Sequence, residues 1–232
     1  MIDIRKFETL GAADHGWLDA RHHFSFASYQ DPARMGWGRI RVWNDDRIAP
    51  GTGFATHPHQ DMEIITYVRS GAITHKDSMG NVGRTEAGDV QVMSAGSGVT
   101  HSEHNLEEVE TTLFQIWIMP DQTGGAPYWD ARPFPKGDRT GTWVTLASGK
   151  AGDGDALPIR ADARVCGATL HEGEKIGFTC ASGRRAYLVL AEGSALVNGI
   201  KIDVRDGLAI SANTHIDIEA TADCELVLVD AL

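Results

Sequence analysis

Only three cysteines occur in 232 residues, Cys166, Cys180 and Cys224, all in the second half and none in a short metal-type spacing. Three thiols cannot all pair within one chain, so neither a disulfide framework nor a thiolate metal cluster is expected, and they read as small buried hydrophobes. Long apolar runs are also missing. None approaches the roughly 18 to 20 residues that a membrane-crossing helix needs. The first six residues, Met1-Ile2-Asp3-Ile4-Arg5-Lys6, mix both charge signs and lack an apolar stretch of the kind that marks an export signal, which points to a cytoplasmic protein. Cations are in deficit: 21 Lys and Arg against 32 Asp and Glu give a formal net charge of −11. Such a field repels polyanions, so no direct contact with nucleic acid is expected, and Arg34, Arg39, Arg41 and Arg47 read as solvated strand and loop charges.

Helical periodicity is lacking as well. What is present is a series of short β-branched or aromatic runs bounded by Gly, Asp and Asn: 39–43, 63–68, 90–93, 113–119, 143–147, 186–190 and 225–229. Many short strands separated by glycine turns predict an all-β barrel or jelly roll. The stretch from about Asp121 to Asp138, with Gly124-Gly125, Pro127, Pro133 and Pro135, interrupts this pattern and reads as a connector between two halves. Ser148 to Asp155 reads as a surface turn. The halves echo one another. The segment 64–71 can be laid on 186–193, each an apolar strand running into a glycine turn, and 92–95 resembles 209–212.

Of ten histidines, His15, His22, His23, His75, His104, His171 and His215 read as surface or hydrogen-bonded structural residues. His57 and His59 stand apart. In Thr56-His57-Pro58-His59 they are two residues apart, and in an extended chain that spacing puts both imidazoles on one face, roughly 6.5 to 7 Å apart along it. Pro58 cannot donate to a ladder, which places the pair at a barrel rim or irregular edge. The second element is 95–103, Ala-Gly-Ser-Gly-Val-Thr-His-Ser-Glu. Its glycines permit a tight turn, and the extended segment after them puts His101 and Glu103 on a common face. Three nitrogens and one carboxylate suit a divalent first-row metal, and six-coordinate geometry would leave two positions for water, substrate or dioxygen.

These residues carry a resemblance. Gly51, then five residues to His57, one to His59, three to Glu63 and on to Gly71, resembles the first cupin motif with one extra residue before the last glycine. Gly88 to Asn105, with Gly98-Val99-Thr100-His101 and three residues between His101 and Asn105, resembles the second, with Gly96 where proline is usual. His22-His23-Phe24-Ser25-Phe26, Thr56-His57-Pro58-His59 with Met62-Glu63, and Phe114-Gln115-Ile116-Trp117-Ile118-Met119-Pro120 are similar to the pirin branch of that superfamily, close to bacterial pirin-like proteins described as quercetin 2,3-dioxygenases. The likeness spans nearly the whole chain and is strongest from about residue 20 to 120.

The resemblance implies two tandem cupin-type β-barrels, a bicupin: a metal-binding barrel with connector over residues 1–136 and a degenerate barrel without metal ligands over 137–232. Laying Gly193 on Gly71 sets Thr179, Ala181 and Arg185 opposite His57, His59 and Glu63. Pirins are alike in taking a glutamate two residues after the second-motif histidine, here Glu103, whereas most cupins use the first-motif glutamate, here Glu63. Strand alternation also favours Glu103, with Glu63 as a supporting carboxylate. The implied cofactor is one divalent ion, Fe(II), with Mn, Co, Ni, Cu or Zn as chemical alternatives. The implied activity is dioxygenation of a small aromatic substrate, opening a flavonol ring such as that of quercetin, with Glu103 also the catalytic base. Two other classes stand beside it: an iron-binding regulatory protein with a protein partner and the metal as redox switch, and a metal-dependent isomerase or epimerase.

Overall fold

The computed structural model describes residues 1–232, and the chain forms two compact units. One comprises Gly11–Phe134 with Leu157–Ala161; the other comprises Met1–Leu10, Pro135–Ala156 and Asp162–Leu232. Both are built from antiparallel strands. Regular helix is confined to three short 3-10 turns, Phe7–Thr9, Pro32–Arg34 and Lys136–Arg139. No helix is long and apolar enough to cross a membrane.

In the first unit, a seven-stranded sheet runs in the order Tyr128–Arg132, Val90–Ser94, Glu63–Ser70, Thr111–Ile118, Ile40–Ile48, Leu18–His22 and Gly11–Asp14. A four-stranded sheet runs Gly53–His59, Val99–His104, Ala72–Asp77 and Val82–Glu86. The central strands Glu63–Ser70 and Thr111–Ile118 are buried over most of their length, as near-continuous apolar runs require. Val99–His104 instead alternates, with Val99, His101 and Glu103 buried and Thr100 exposed, so its inward face carries the polar side chains. Apolar packing flanks that polar face in separate clusters. Leu18, Ile48, Val68, Ile73 and Leu113 make one, with Phe54 packed against it. Ile64, Met93, Ala95 and Val99 make another, with Trp117 and Trp129 against it.

The second unit repeats the two-sheet plan. One sheet includes, in order, Ile2–Arg5, Gly207–Ile210, Arg185–Glu192, Cys224–Ala231, Ala163–Leu170 and Val144–Ser148. The smaller sheet runs Lys175–Cys180, Thr214–Ala220, Ala195–Val197 and Ile200–Ile202. All three cysteines are buried and free.

All seven strand expectations correspond to observed strands, and three features go beyond them. The N-terminal Ile2–Arg5 pairs with Gly207–Ile210 rather than with its sequence neighbours. The connector region contains a strand, Tyr128–Arg132, paired along its length with Val90–Ser94. The overlay of Thr179 on His57 needs correcting by one position: Thr179 is exposed and bonded to His215, while the more buried positions of its strand are Ile176, Phe178 and Cys180. A one-residue slip in a β-alignment exchanges the two faces of the strand, which is why sequence overlay alone misplaced it.

Candidate metal centre

His57 and His101 are directly paired across neighbouring antiparallel strands, with His59 opposite Val99. The ladder then shifts, so that Glu103 pairs with Phe54. This bulge adds a residue to the Gly53–His59 strand and turns Phe54 and His57 inward three residues apart, leaving Ala55 and Thr56 exposed. The loop feeding His101 depends on Gly96. Its φ of +49° lies where proline cannot go, and a Cβ there would meet the Gly125 carbonyl oxygen at 2.5 Å.

Three imidazoles converge as a result. Ring centroids lie 4.6 Å apart for His57 and His101, 4.8 Å for His57 and His59, and 5.0 Å for His59 and His101. One nitrogen from each falls within 4.8 Å of the others. His57 Nε2 is 3.2 Å from His101 Nε2. His57 Nδ1 lies 2.7 Å from the Ala55 carbonyl, which can only accept, so Nδ1 carries the proton and Nε2 presents a lone pair to the centre. Donors about 2.1 Å from an ion lie about 3.0 Å apart at a right angle and about 3.4 Å apart in a tetrahedron, so the observed spacing fits a shared first-row cation.

Electrostatics agree with that fit. Burial, reinforced by the charge of His57, pushes His59 down to about 4. Burial and the neighbouring His57, His59 and His75 push His101 down to about 2. Both are therefore neutral and able to ligate at ordinary pH.

Glu103 is buried beside His101, and its carboxylate lies within 4.8 Å of nitrogens of His101 and His75. It accepts hydrogen bonds from Gln91 Nε2 at 2.6 Å and Thr66 Oγ1 at 3.3 Å on one oxygen, and from Gln115 Nε2 at 2.8 Å on the other. Burial raises it to about 7 against the pull of these three donors. Glu63, the alternative carboxylate, is engaged elsewhere by the Ser94 hydroxyl and falls in neither cluster of convergent donors.

Several participants escaped the sequence reading. His75 and Asp77 lie on the adjacent strand, opposite Glu103 and His101. His75, expected as a surface or hydrogen-bonded structural residue, is fully buried and hydrogen-bonded; Nδ1 sits 3.3 Å from His101 Nδ1 and Nε2 sits 3.0 Å from Asp77 Oδ2. Trp129 stacks on the His75 ring at 4.8 Å and 9°, and Trp117 meets His59 edge-on at 5.0 Å. His22 and His23 are also buried, with His22 bonded to Asn44 Oδ1 at 2.8 Å.

Two openings adjoin the centre. A groove of about 570 Å³ runs past Pro58, His59, Gln60, Gly98 and Thr100. A smaller cavity of about 190 Å³ is lined by His22, Phe26, Asn44, Asp46, Phe54 and Gln115. Burial, with Asp45 and Glu103 nearby, pushes the Asp46 carboxyl well above the usual carboxylate range, and its Oδ1 has no hydrogen-bond partner within the protein.

Known proteins share this organisation. The family model described as pirin matches residues 3–118, and that described as the quercetinase C-terminal cupin domain matches residues 142–231. A pirin-like protein of Caulobacter vibrioides is 63% identical over 231 residues, covering 100% of both chains. A quercetin 2,3-dioxygenase of Escherichia coli strain K12 is 43% identical over 231 residues, 99% of this chain and 98% of the relative. The crystal structure of a bacterial pirin from Escherichia coli in complex with nickel(II) is 42% identical and superposes with a TM-score of 0.92, covering 100% of this chain and 99% of that one.

Proposed function

Because the chain belongs to the pirin family of the cupin superfamily, we propose that it is a cytoplasmic, metal-dependent dioxygenase that opens the ring of a flavonol such as quercetin. His57, His59, His101 and Glu103 hold the ion, and Fe(II) is the ion of choice. The observation that carries this reading is the convergence of three imidazoles, two with nitrogens 3.2 Å apart, with the buried Glu103 carboxylate close to His101. The quercetin 2,3-dioxygenase relative from Escherichia coli supports the substrate class, and the nickel(II) complex of the similar bacterial pirin supports a divalent cation.

When bound, a first-row cation supplies Lewis acidity toward an enolic or phenolic oxygen and can exchange electrons with dioxygen. The protein supplies the rest. Glu103, held near neutrality by burial, takes the proton of the substrate hydroxyl on a carboxylate oxygen, and Gln91, Thr66 and Gln115 fix its orientation by donating to it. The cavity of about 190 Å³ is smaller than the roughly 300 Å³ at which pockets for drug-sized ligands begin, so it has room for one ring of a flavonol, with Phe26 and Phe54 in its lining. Asp46, Asn44 and Gln115 offer hydrogen-bond partners to ring hydroxyls.

Mixing iron-loaded protein with quercetin in air should bleach its visible absorbance with uptake of dioxygen, and the same mixture without air should leave it unchanged. An iron-loaded sample that leaves quercetin intact in air would remove it as the substrate.

A further inference from the structure

Asp77, His75 and His101 form a line of three hydrogen-bonding groups that ends at the metal centre. Asp77 Oδ1 accepts from the backbone amides of Met79 at 2.9 Å and Asn81 at 3.0 Å, and Oδ2 accepts from Asn81 Nδ2 at 2.9 Å. An ionised carboxylate can only accept, so the His75 nitrogen 3.0 Å from Oδ2 must carry a proton. That nitrogen is Nε2. In a neutral, buried imidazole the other nitrogen is then a lone pair, so His75 Nδ1 accepts, and its partner 3.3 Å away, His101 Nδ1, donates. His101 Nε2 is left without a proton, and it is this atom that faces His57 Nε2.

The structure thus assigns His75 and Asp77 as positioning residues: the acceptor-only carboxylate of Asp77, acting through His75, selects the tautomer of His101 whose Nε2 lone pair is free to bind the cation. Trp129, stacked flat on the His75 ring, holds that ring in the plane the relay needs. The assignment rests on the metal-centre reading above, and an acceptor behind a ligating imidazole is the arrangement that raises its basicity and fixes its orientation.

Asp77→Asn discriminates sharply. The two backbone amides on Oδ1 claim the carboxamide oxygen, which turns the amide nitrogen toward His75 Nε2. His75 then becomes a donor at Nδ1, and His101 must carry its proton on Nε2, where the cation would bind. In metal-free protein, long-range proton–nitrogen correlation spectra should show His101 protonated at Nδ1 in the parent chain and at Nε2 in D77N. Affinity for Zn(II), read by competition with a chelating dye, should fall about 10- to 100-fold in D77N. His75→Gln keeps an acceptor for His101 and a donor for Asp77, so it should retain Zn(II) affinity within a few fold, whereas His75→Leu should lose it as D77N does.

A parent chain with His101 protonated at Nε2, or a D77N chain with unchanged tautomer and affinity, overturns the assignment. A parent chain that binds no Zn(II) overturns the metal-centre reading, while the spectra still decide whether the relay exists.

Discussion

The two barrels share a plan and differ in what lines them. In the second, Leu188, Leu190, Leu208, Ile210, Ile216, Ile218, Leu226 and Leu228 belong to one apolar cluster of 17 buried residues, with Ile176 and Phe178 packed against it. In the first, the smaller sheet points His57, His59, His75, His101 and Glu103 inward, and the apolar clusters beside it contain six and four buried residues. The second barrel's interior thus contributes packing and water exclusion. In the first, the buried polar groups at the centre are offset by partners: Glu103 takes three donors, and His101 sits between His57 and His75.

The comparison can be broken most forcefully at His101. His101→Ala removes the nitrogen common to both donor clusters, and bound metal should fall from about one ion per chain to near zero while the circular dichroism spectrum stays that of the parent. The mirror change belongs to the second barrel. Ile216→Ala leaves a cavity beside Phe178 and should lower unfolding free energy by about 2 to 5 kcal/mol, measured in urea, with metal content unchanged. If I216A empties the metal centre, the two interiors do not have separate roles.

The third effect is on pH. His59 titrates at about 4 in the folded chain and near 6.5 when unfolded, so between those values the unfolded chain binds a proton that the folded chain refuses. Stability of metal-free protein should therefore be full above pH 6.5 and fall as pH drops toward 4, by about 1.4 kcal/mol per unit for this residue alone. His101, lowered further, adds to the same slope. In H59A with the same denaturation series, the slope should lessen. A slope identical to the parent's would show that His59 is not the group that refuses the proton.

The convergence of His57, His59 and His101, and the shared inward face of His101 and Glu103, are legible in the sequence because each pair obeys strand alternation within a few residues. His75 and Asp77 obey the same alternation, but nothing local shows which strand lies beside which, and only the pairing of Ala72–Asp77 with Val99–His104 brings them to the centre. Thr66, Gln91 and Gln115 are legible in retrospect. Each is a lone neutral polar residue inside an apolar strand, a position that is costly unless a partner waits in the interior. The barrel class follows from strand pattern and glycine turns. The pairing of Ile2–Arg5 with Gly207–Ile210 does not, because an edge strand's partner across some 200 residues leaves no periodic trace.

The most direct test is anomalous diffraction from crystals of the protein purified without an affinity tag and loaded with Fe(II). A single strong peak among the imidazoles of His57, His59 and His101, beside Glu103 and absent in His101→Ala crystals, is the expected result. Ordered rings with no anomalous density between them, in protein that elemental analysis shows to carry iron, would place the metal elsewhere and contradict the account.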